Sequence, residues 1–209
     1  MKLSEASRGG VFSRHEKYTT RNPLSRYLVR GLFRRIASLI SGIPFDSVLD
    51  VGCGEGLPLH HLGEHLAGKR VIGVDVDRCD VETARSNVPF AKWVIASVYS
   101  LPFRDRGFDL TICCEVLEHL EDPDLALKGI ARVAAKHCVF SVPNEPLWRA
   151  LNMARGAYVW EWGNTPGHRN HWSRRSFERL IVPRFEVLKI AAPPPWLVVL
   201  CRPKDCQAK

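Results

Sequence analysis

The 209-residue chain has no apolar run near the ~20 residues that a helix needs to cross a bilayer, so no transmembrane helix is expected. Its start, Met1 to Arg14, is polar and lacks an apolar stretch ahead of a small-residue cleavage site, so no secretory signal is expected either. Zinc-type cysteine pairs are also missing. The seven cysteines (Cys53, Cys79, Cys113, Cys114, Cys138, Cys201 and Cys206) are an odd number without paired spacing, and several stand in apolar surroundings. That usage fits reduced thiols in a cytoplasmic protein. Cys113 and Cys114 look like a redox pair, but neighbours on a strand point to opposite faces, so core packing is expected. There is no internal repeat and no low-complexity tract. The length is enough to bury a full core without disulfides or metal.

What is present is an uneven charge. Thirty Lys and Arg against 22 Asp and Glu give a formal +8. Residues 1–40 hold nine basic and two acidic side chains, 41–148 hold ten and sixteen, and 149–209 hold eleven and four. An acidic centre thus lies between two basic flanks. Nucleic acid, an anionic membrane and an acidic substrate are the candidate partners, with solvated arginines on helix faces as the plainer alternative. In the first flank Leu24, Tyr27, Leu28, Leu32, Ile36, Leu39 and Ile40 follow helical spacing, with Arg26, Arg30 and Arg34 together on another face. Such a helix either packs its stripe on the domain or makes peripheral contact with a membrane. The boundary after it divides a basic N-terminal segment with an amphipathic cap helix (1–41) from the main domain (42–209).

From Ser47 onward short apolar runs alternate with helical stretches: Ser47–Val51, Arg70–Val76, Ala91–Ile95, Phe108–Cys113 and Cys138–Val142 are strand candidates. Between them Pro58–Leu66, Asp80–Ser86 and Pro123–Ala135 read as helices. That alternation implies crossover connections and a parallel sheet, an α/β fold. Phe185–Ile190 and Trp196–Cys201 are joined by a link too short for a crossover helix, so they are expected to pair antiparallel.

The sharpest signal is Val48-Leu49-Asp50-Val51-Gly52-Cys53-Gly54-Glu55-Gly56. Glycines just past a strand let the backbone turn tightly and let a ligand approach the main chain. Pro58 suits the first turn of the next helix. The dinucleotide fingerprint G-x-G-x-x-G would need glycine at position 57, which is Leu57. Acids at both ends of the loop, Asp50 and Glu55, would repel a pyrophosphate but suit a cofactor with an ammonium group and a sulfonium. Asp75, ending the second strand, is placed to accept hydrogen bonds from two ribose hydroxyls, or else to cap the following turn.

At these residues the chain resembles the class I S-adenosylmethionine-dependent methyltransferases with a type 11 methyltransferase domain. The resemblance covers residues 45–145 and rests on Asp50-Val-Gly-Cys-Gly-Glu-Gly56, Gly73-Val-Asp75, Leu101-Pro102-Phe103 with Phe108-Asp109, and Glu115-Val-Leu-Glu-His-Leu120 with Asp122-Pro123. It implies a Rossmann-like three-layer sandwich whose seven-stranded, mostly parallel sheet ends in an antiparallel strand. It also implies that Gly52, Cys53, Gly54 and Gly56 line the methionine part of S-adenosylmethionine, with Asp50 beneath the amino group and Glu115 close by. Asp75 would hold the ribose, Val76 would pack on the adenine, and Ser97 and Val98 would meet its edge. Many relatives carry an aspartate where this chain has Ser97, a weaker acceptor for the adenine amino group.

Methyl transfer from a sulfonium is an in-line displacement, so the protein positions the acceptor and assists its deprotonation. His119 and Glu118 are the catalytic candidates. If Val116–Leu120 is a helical turn, Glu115 lies beside Glu118 and His119 at i, i+3 and i, i+4 spacing. With His168 these residues could give Mg²⁺ or Mn²⁺ a mixed oxygen and nitrogen site. The pattern Glu-x-x-Glu-His with a later His resembles two metal-assisted groups, the ubiquinone-pathway O-methyltransferases and the enzymes that methylate the 3′-terminal 2′-hydroxyl of small RNAs. Without metal, His119 would act as a base or orient substrate. The segment at about 145–172 is expected to form a substrate cap. It carries Trp148, Tyr158, Trp160, Trp162 and Trp172 interleaved with Arg149, Arg155 and Arg169, which suits a flat or anionic acceptor or packs on the sheet edge.

The leading expectation is an S-adenosylmethionine-dependent methyltransferase acting at oxygen of a small or lipid-like acceptor. The alternatives are a metal-assisted RNA 3′-terminal 2′-O-methyltransferase and a non-catalytic S-adenosylmethionine-binding regulatory subunit.

Overall fold

The computed structural model describes residues 23–154 and 167–204. Arg155, Tyr158, Trp160, Trp162 and Cys206 lie outside them. Seven strands form one sheet among the described residues: β1 (Ser47–Val51), β2 (Arg70–Asp75), β3 (Lys92–Ile95), β4 (Phe108–Cys114), β5 (Ala134–Pro143), β6 (Phe185–Ala191) and β7 (Trp196–Pro203). Their order is β3-β2-β1-β4-β5-β7-β6. The first five run parallel, and β7 is antiparallel to both of its neighbours. This is the mostly parallel sheet with an antiparallel last strand that the sequence predicts. The helices among the described residues are α1 (Pro23–Ile40), α2 (Leu57–His61), α3 (Gly63–Leu66), α4 (Arg78–Asn87), α5 (Pro123–Val133), α6 (Glu145–Ala154) and α7 (Arg174–Ile181), with a 3₁₀ turn at Leu117–His119.

The strands are apolar on both faces because both faces are covered. Leu49, Val51 and Phe140 pack beneath Leu127 and Ile130 of α5 and Phe177 and Ile181 of α7. On the opposite face Val48, Leu110 and Ile112 meet Leu32, Phe33, Ile36 and Ile40 of α1. Alternation along β4 sends Cys113 into the first core and Cys114 into the second, both as buried free thiols.

Two helices are interrupted or cut short relative to the sequence reading. The helix expected over Pro58–Leu66 is broken at Leu62 into α2 and α3. The helix expected to run to Ala135 stops at Val133, because Ala134 already pairs with Phe108 and the chain continues as β5. Sheet pairing there overrides the helical preference of alanine.

Helix α1 is an integral wall of the fold. Its stripe is buried from Val29 onward, and the Phe33 ring stacks on His61 with centroids 4.6 Å apart. Leu24 and Tyr27, in contrast, are 63% and 66% exposed. No described helix is long and apolar enough to cross a membrane. Ile36→Ala is therefore expected to destabilise the protein by about 2–5 kcal/mol, read as a lower denaturation midpoint with unchanged slope. Tyr27→Ala should stay within about 0.5 kcal/mol of wild type.

Candidate active site

The connections from β1 and β4 leave the sheet in opposite directions, because β1 is flanked by β2 on one side and β4 on the other. A crevice opens outside the carboxyl ends of strands at such a reversal. Here it is a cleft of about 740 Å³. The glycine loop forms one wall. Gly52 and Cys53 donate N–H groups to the Val74 carbonyl at 2.8 and 3.1 Å, and Gly54 donates to Asp75 Oδ2 at 2.8 Å. Gly52, at φ 71°, is required by close approach: a Cβ there would stand 2.4 Å from the Val116 side chain. At Gly56, φ 81°, a Cβ would meet the Trp93 ring at 2.8 Å, so this third glycine admits the packing of the loop on β3 and α4.

Of the residues expected to hold a cofactor, Gly52, Asp75, Val76, Ser97 and Val98 line the cleft. Gly54 and Gly56 complete the loop outside that lining. Val76 is 68% exposed and offers an apolar surface. Ser97 Oγ accepts the Tyr99 N–H at 3.2 Å, which leaves its proton and a second lone pair for another partner. The Tyr99 hydroxyl accepts the Glu121 and Asp122 N–H groups at 3.1 and 3.2 Å, tying this wall to the turn opposite. Cys53 is buried outside the cleft lining, with Sγ 3.1 Å from where a Gly73 Cβ would stand.

Two carboxyl groups sit at the ends of β1 and β2. Asp75 is satisfied by the Gly54 N–H and, at its second oxygen, the Asp77 N–H at 3.0 Å. Asp50 is fully buried, and neither of its oxygens has a hydrogen-bond partner among the described residues. Burial, with a smaller contribution from the Asp75 charge, pushes its carboxyl up to about 8.

After β4 the chain turns sharply, and this separates the expected cluster. Glu115 adopts a left-handed φ of 58°. Its carboxylate accepts from Ser141 Oγ at 3.2 Å and from Trp196 Nε1 at 2.7 Å, toward β5 and β7. The helical turn is present in 3₁₀ form, with the His119 N–H on the Val116 carbonyl at 3.0 Å, but the positive φ of Glu115 directs its carboxylate to Ser141 and Trp196. Glu115 is also absent from the cleft lining. What the fold does bring together, with ligand atoms all within 4.8 Å, is Glu118, His119 and His168. Glu118 is fully buried, and His119 lines the cleft. His119 Nδ1 lies 2.9 Å from the Gly167 carbonyl. A carbonyl only accepts, so Nδ1 carries the proton and the neutral ring keeps its lone pair on Nε2. That nitrogen is 3.8 Å from Glu118 Oε1.

The 167–172 segment reaches this turn by backbone docking. Arg169 and Asn170 donate N–H groups to the Glu118 carbonyl at 2.8 and 3.1 Å, and Asn170 Nδ2 donates to the Leu120 carbonyl at 2.6 Å. Glu145, which the sequence did not single out, joins the site from α6. Its Oε1 lies 3.1 Å from His168 Nδ1 and 3.2 Å from His171 Nδ1. Burial pushes the Glu145 carboxyl up, but the hydrogen bonds from His168 and His171 outweigh it and hold it below its ordinary value. The sequence signal was an acid just after β5, without motif spacing to its partners. Trp148 and Trp172 are buried, Trp148 beside His168 and Trp196 and Trp172 against Phe177.

Residues 49–142 match a family model described as a methyltransferase domain. The ubiquinone biosynthesis O-methyltransferase of Alkalilimnicola ehrlichii is 29% identical over 161 residues, 68% of this chain and 64% of that protein. The chain spans from about a third to just under two thirds of the length of the curated relatives it matches most strongly. Among solved structures, the PH0226 protein of Pyrococcus horikoshii superposes with a TM-score of 0.72 at 17% identity, over 97% of this chain and 100% of that one. The magnesium protoporphyrin IX methyltransferase of Synechocystis, solved with bound S-adenosylhomocysteine, gives 0.67 at 18%, over 90% and 91%. At such identities the likeness is one of fold.

The buried acid has a measurable signature. Between the ordinary value of 3.8 and about 8, the folded chain retains a proton on Asp50 that the unfolded chain has released. Stability of the ligand-free protein is therefore expected to fall as pH rises through that window. Asp50→Asn should flatten the slope, measured by chemical denaturation at about pH 5 and about pH 8. Gly52→Ala is expected to cost about 1–3 kcal/mol, and adding Val116→Ala should recover part of that loss, a non-additive pair in a double-mutant cycle.

Proposed function

We propose, from the match of residues 49–142 to a methyltransferase-domain family model, that the protein methylates an oxygen of a small or lipid-like acceptor, with S-adenosylmethionine as donor. The observation that carries this reading is His119 in the cleft wall, its Nδ1 2.9 Å from the Gly167 carbonyl, so that Nε2 is the basic nitrogen of the neutral ring.

The cleft suits that donor. The buried Asp50 carboxyl, without a hydrogen-bond partner among the described residues, stands at the base of the glycine loop, and a nearby cation favours the ionised form of a carboxyl raised by burial. Asp75 would accept from the ribose hydroxyls through its remaining lone pairs, since each oxygen can take more than one donor. Val76 would cover the adenine, and Ser97 and Val98 would meet its edge. With one lone pair taken by Tyr99, the Ser97 hydroxyl keeps a second lone pair for the adenine amino group and a proton for a ring nitrogen.

When bound, S-adenosylmethionine supplies an electrophilic methyl group on a sulfonium. The chain's part is to hold the acceptor hydroxyl in line with that methyl and to take its proton at His119 Nε2, as general base. Glu118, buried beside His119, would stabilise the imidazolium that forms. Glu118, His119 and His168 also fit a divalent ion such as Mg²⁺ or Mn²⁺, one carboxylate with two imidazoles within reach of a single point. An ion bound there would polarise the acceptor oxygen as a Lewis acid. Burial of Trp148 and Trp172 removes two of the aromatics that would stack on an unpaired base, which favours a small acceptor over an RNA end. The name of the Alkalilimnicola relative supports transfer to oxygen.

His119→Ala is expected to cut turnover about 10²–10⁴-fold while leaving donor binding, followed by calorimetry, near wild type. Unchanged turnover would remove His119 as the base. Activity measured in excess chelator and again after Mg²⁺ or Mn²⁺ is restored decides the ion: full activity in chelator excludes it. A cell extract incubated with radiolabelled donor should place label in a small organic-soluble product. Label confined to RNA would favour the RNA reading, and no label at all a non-catalytic subunit.

A further inference from the structure

We propose that Glu145 is a positioning residue that locks the tautomer of His168, so that His168 presents its Nε2 lone pair to Glu118 and His119. This deepens the reading above, in which those residues surround the reacting oxygen.

Three observations carry it. First, Glu145 Oε1 lies 3.1 Å from His168 Nδ1. An ionised carboxylate only accepts, so that nitrogen must carry the proton, and in the neutral ring the lone pair falls on Nε2. Second, His168 belongs to two clusters at once, Glu118–His119–His168 and Glu145–His168–His171, and so lies between the acid and the cleft. Third, the backbone fixes this sandwich from both sides. Asn144 bridges Trp172, and the Glu145 N–H donates to the Trp172 carbonyl at 3.1 Å, which pins the segment to the start of α6. On the other side Arg169 and Asn170 dock on Glu118. His168 itself is 6% exposed and Glu145 4%, so the pair is held by packing as well.

The arrangement repeats what the Gly167 carbonyl does for His119. Two imidazoles from separate segments thus have their orientations set through Nδ1, His119 by the Gly167 carbonyl and His168 by Glu145. His171 Nδ1 approaches the same Glu145 oxygen at 3.2 Å from the more exposed side, so the carboxylate takes two imidazole donors. Fixing a histidine through its second nitrogen is worth about 10–100-fold in the affinity of the site that the first nitrogen serves.

The test is a long-range proton–nitrogen correlation spectrum of the full ¹⁵N-labelled chain, with His168 assigned by its loss in His168→Gln. Wild-type His168 should show a protonated Nδ1 and an unprotonated Nε2. Glu145→Ala should shift it toward the Nε2–H form, and Glu145→Gln, whose amide oxygen still accepts, should keep it. Mn²⁺ affinity, read by water-proton relaxation on the same samples, should fall about 10–100-fold in Glu145→Ala and recover in Glu145→Gln. A wild-type His168 protonated on Nε2, or a tautomer unmoved in a folded Glu145→Ala, would overturn the proposal. So would an ion seated between Glu145, His168 and His171, since it would strip Nδ1 of its proton. The spectrum needs no donor, acceptor or ion, so a failure of methyl transfer leaves it readable and the two readings stand or fall separately. Should Glu145→Ala not fold, the wild-type and Glu145→Gln spectra still decide.

Discussion

Two aspartates end adjacent parallel strands, and the cost of burying both carboxyls governs the site. The fold satisfies one of them, Asp75, with the Gly54 and Asp77 N–H groups, and in doing so folds the glycine loop over the end of β2. The other, Asp50, is left buried without a partner among the described residues and with its proton held tightly. Desolvating a carboxylate without compensation costs several kcal/mol or drives it to take up a proton. A cation beside the loop relieves that cost, so cation binding and the stability of this corner are linked.

The same logic gives the charge distribution a meaning. The acidic centre of the chain is the part that builds the cleft, and the basic flanks include α1 and the 149–209 portion. Helix α1 is no detachable arm, since its stripe from Val29 onward forms one core face. Its first turn is different: Leu24 and Tyr27 stay exposed beside Arg26 and Arg30.

The acceptor side of the cleft is assembled from pieces far apart in the chain. Asn170 clips the Leu117–His119 turn and Leu120, and Tyr99 clips Glu121 and Asp122. Glu145 stands at the junction, reaching two histidines of the docked segment while its backbone zips to Trp172. Main-chain hydrogen bonds from Arg169, Asn170 and Glu145 share this positioning with the Asn170 side chain.

The sequence by itself determined the sheet, the glycine loop and Asp75. Those depend on apolar period, on glycine conformation and on an acid at a strand end, and each is local. It also placed His119 in the turn after β4. Only the tertiary structure decided which residues meet there. Glu115 is three residues from Glu118, but a left-handed φ of 58° turns it toward Trp196, 81 residues away, and no spacing rule encodes that rotation. Glu145 and His168 are 23 residues apart and meet because the backbone of Asn144 and Glu145 pairs with that of Trp172. A local pattern reports what neighbours in the chain impose on one another, whereas side chains from distant elements converge only after the sheet has fixed where each element begins.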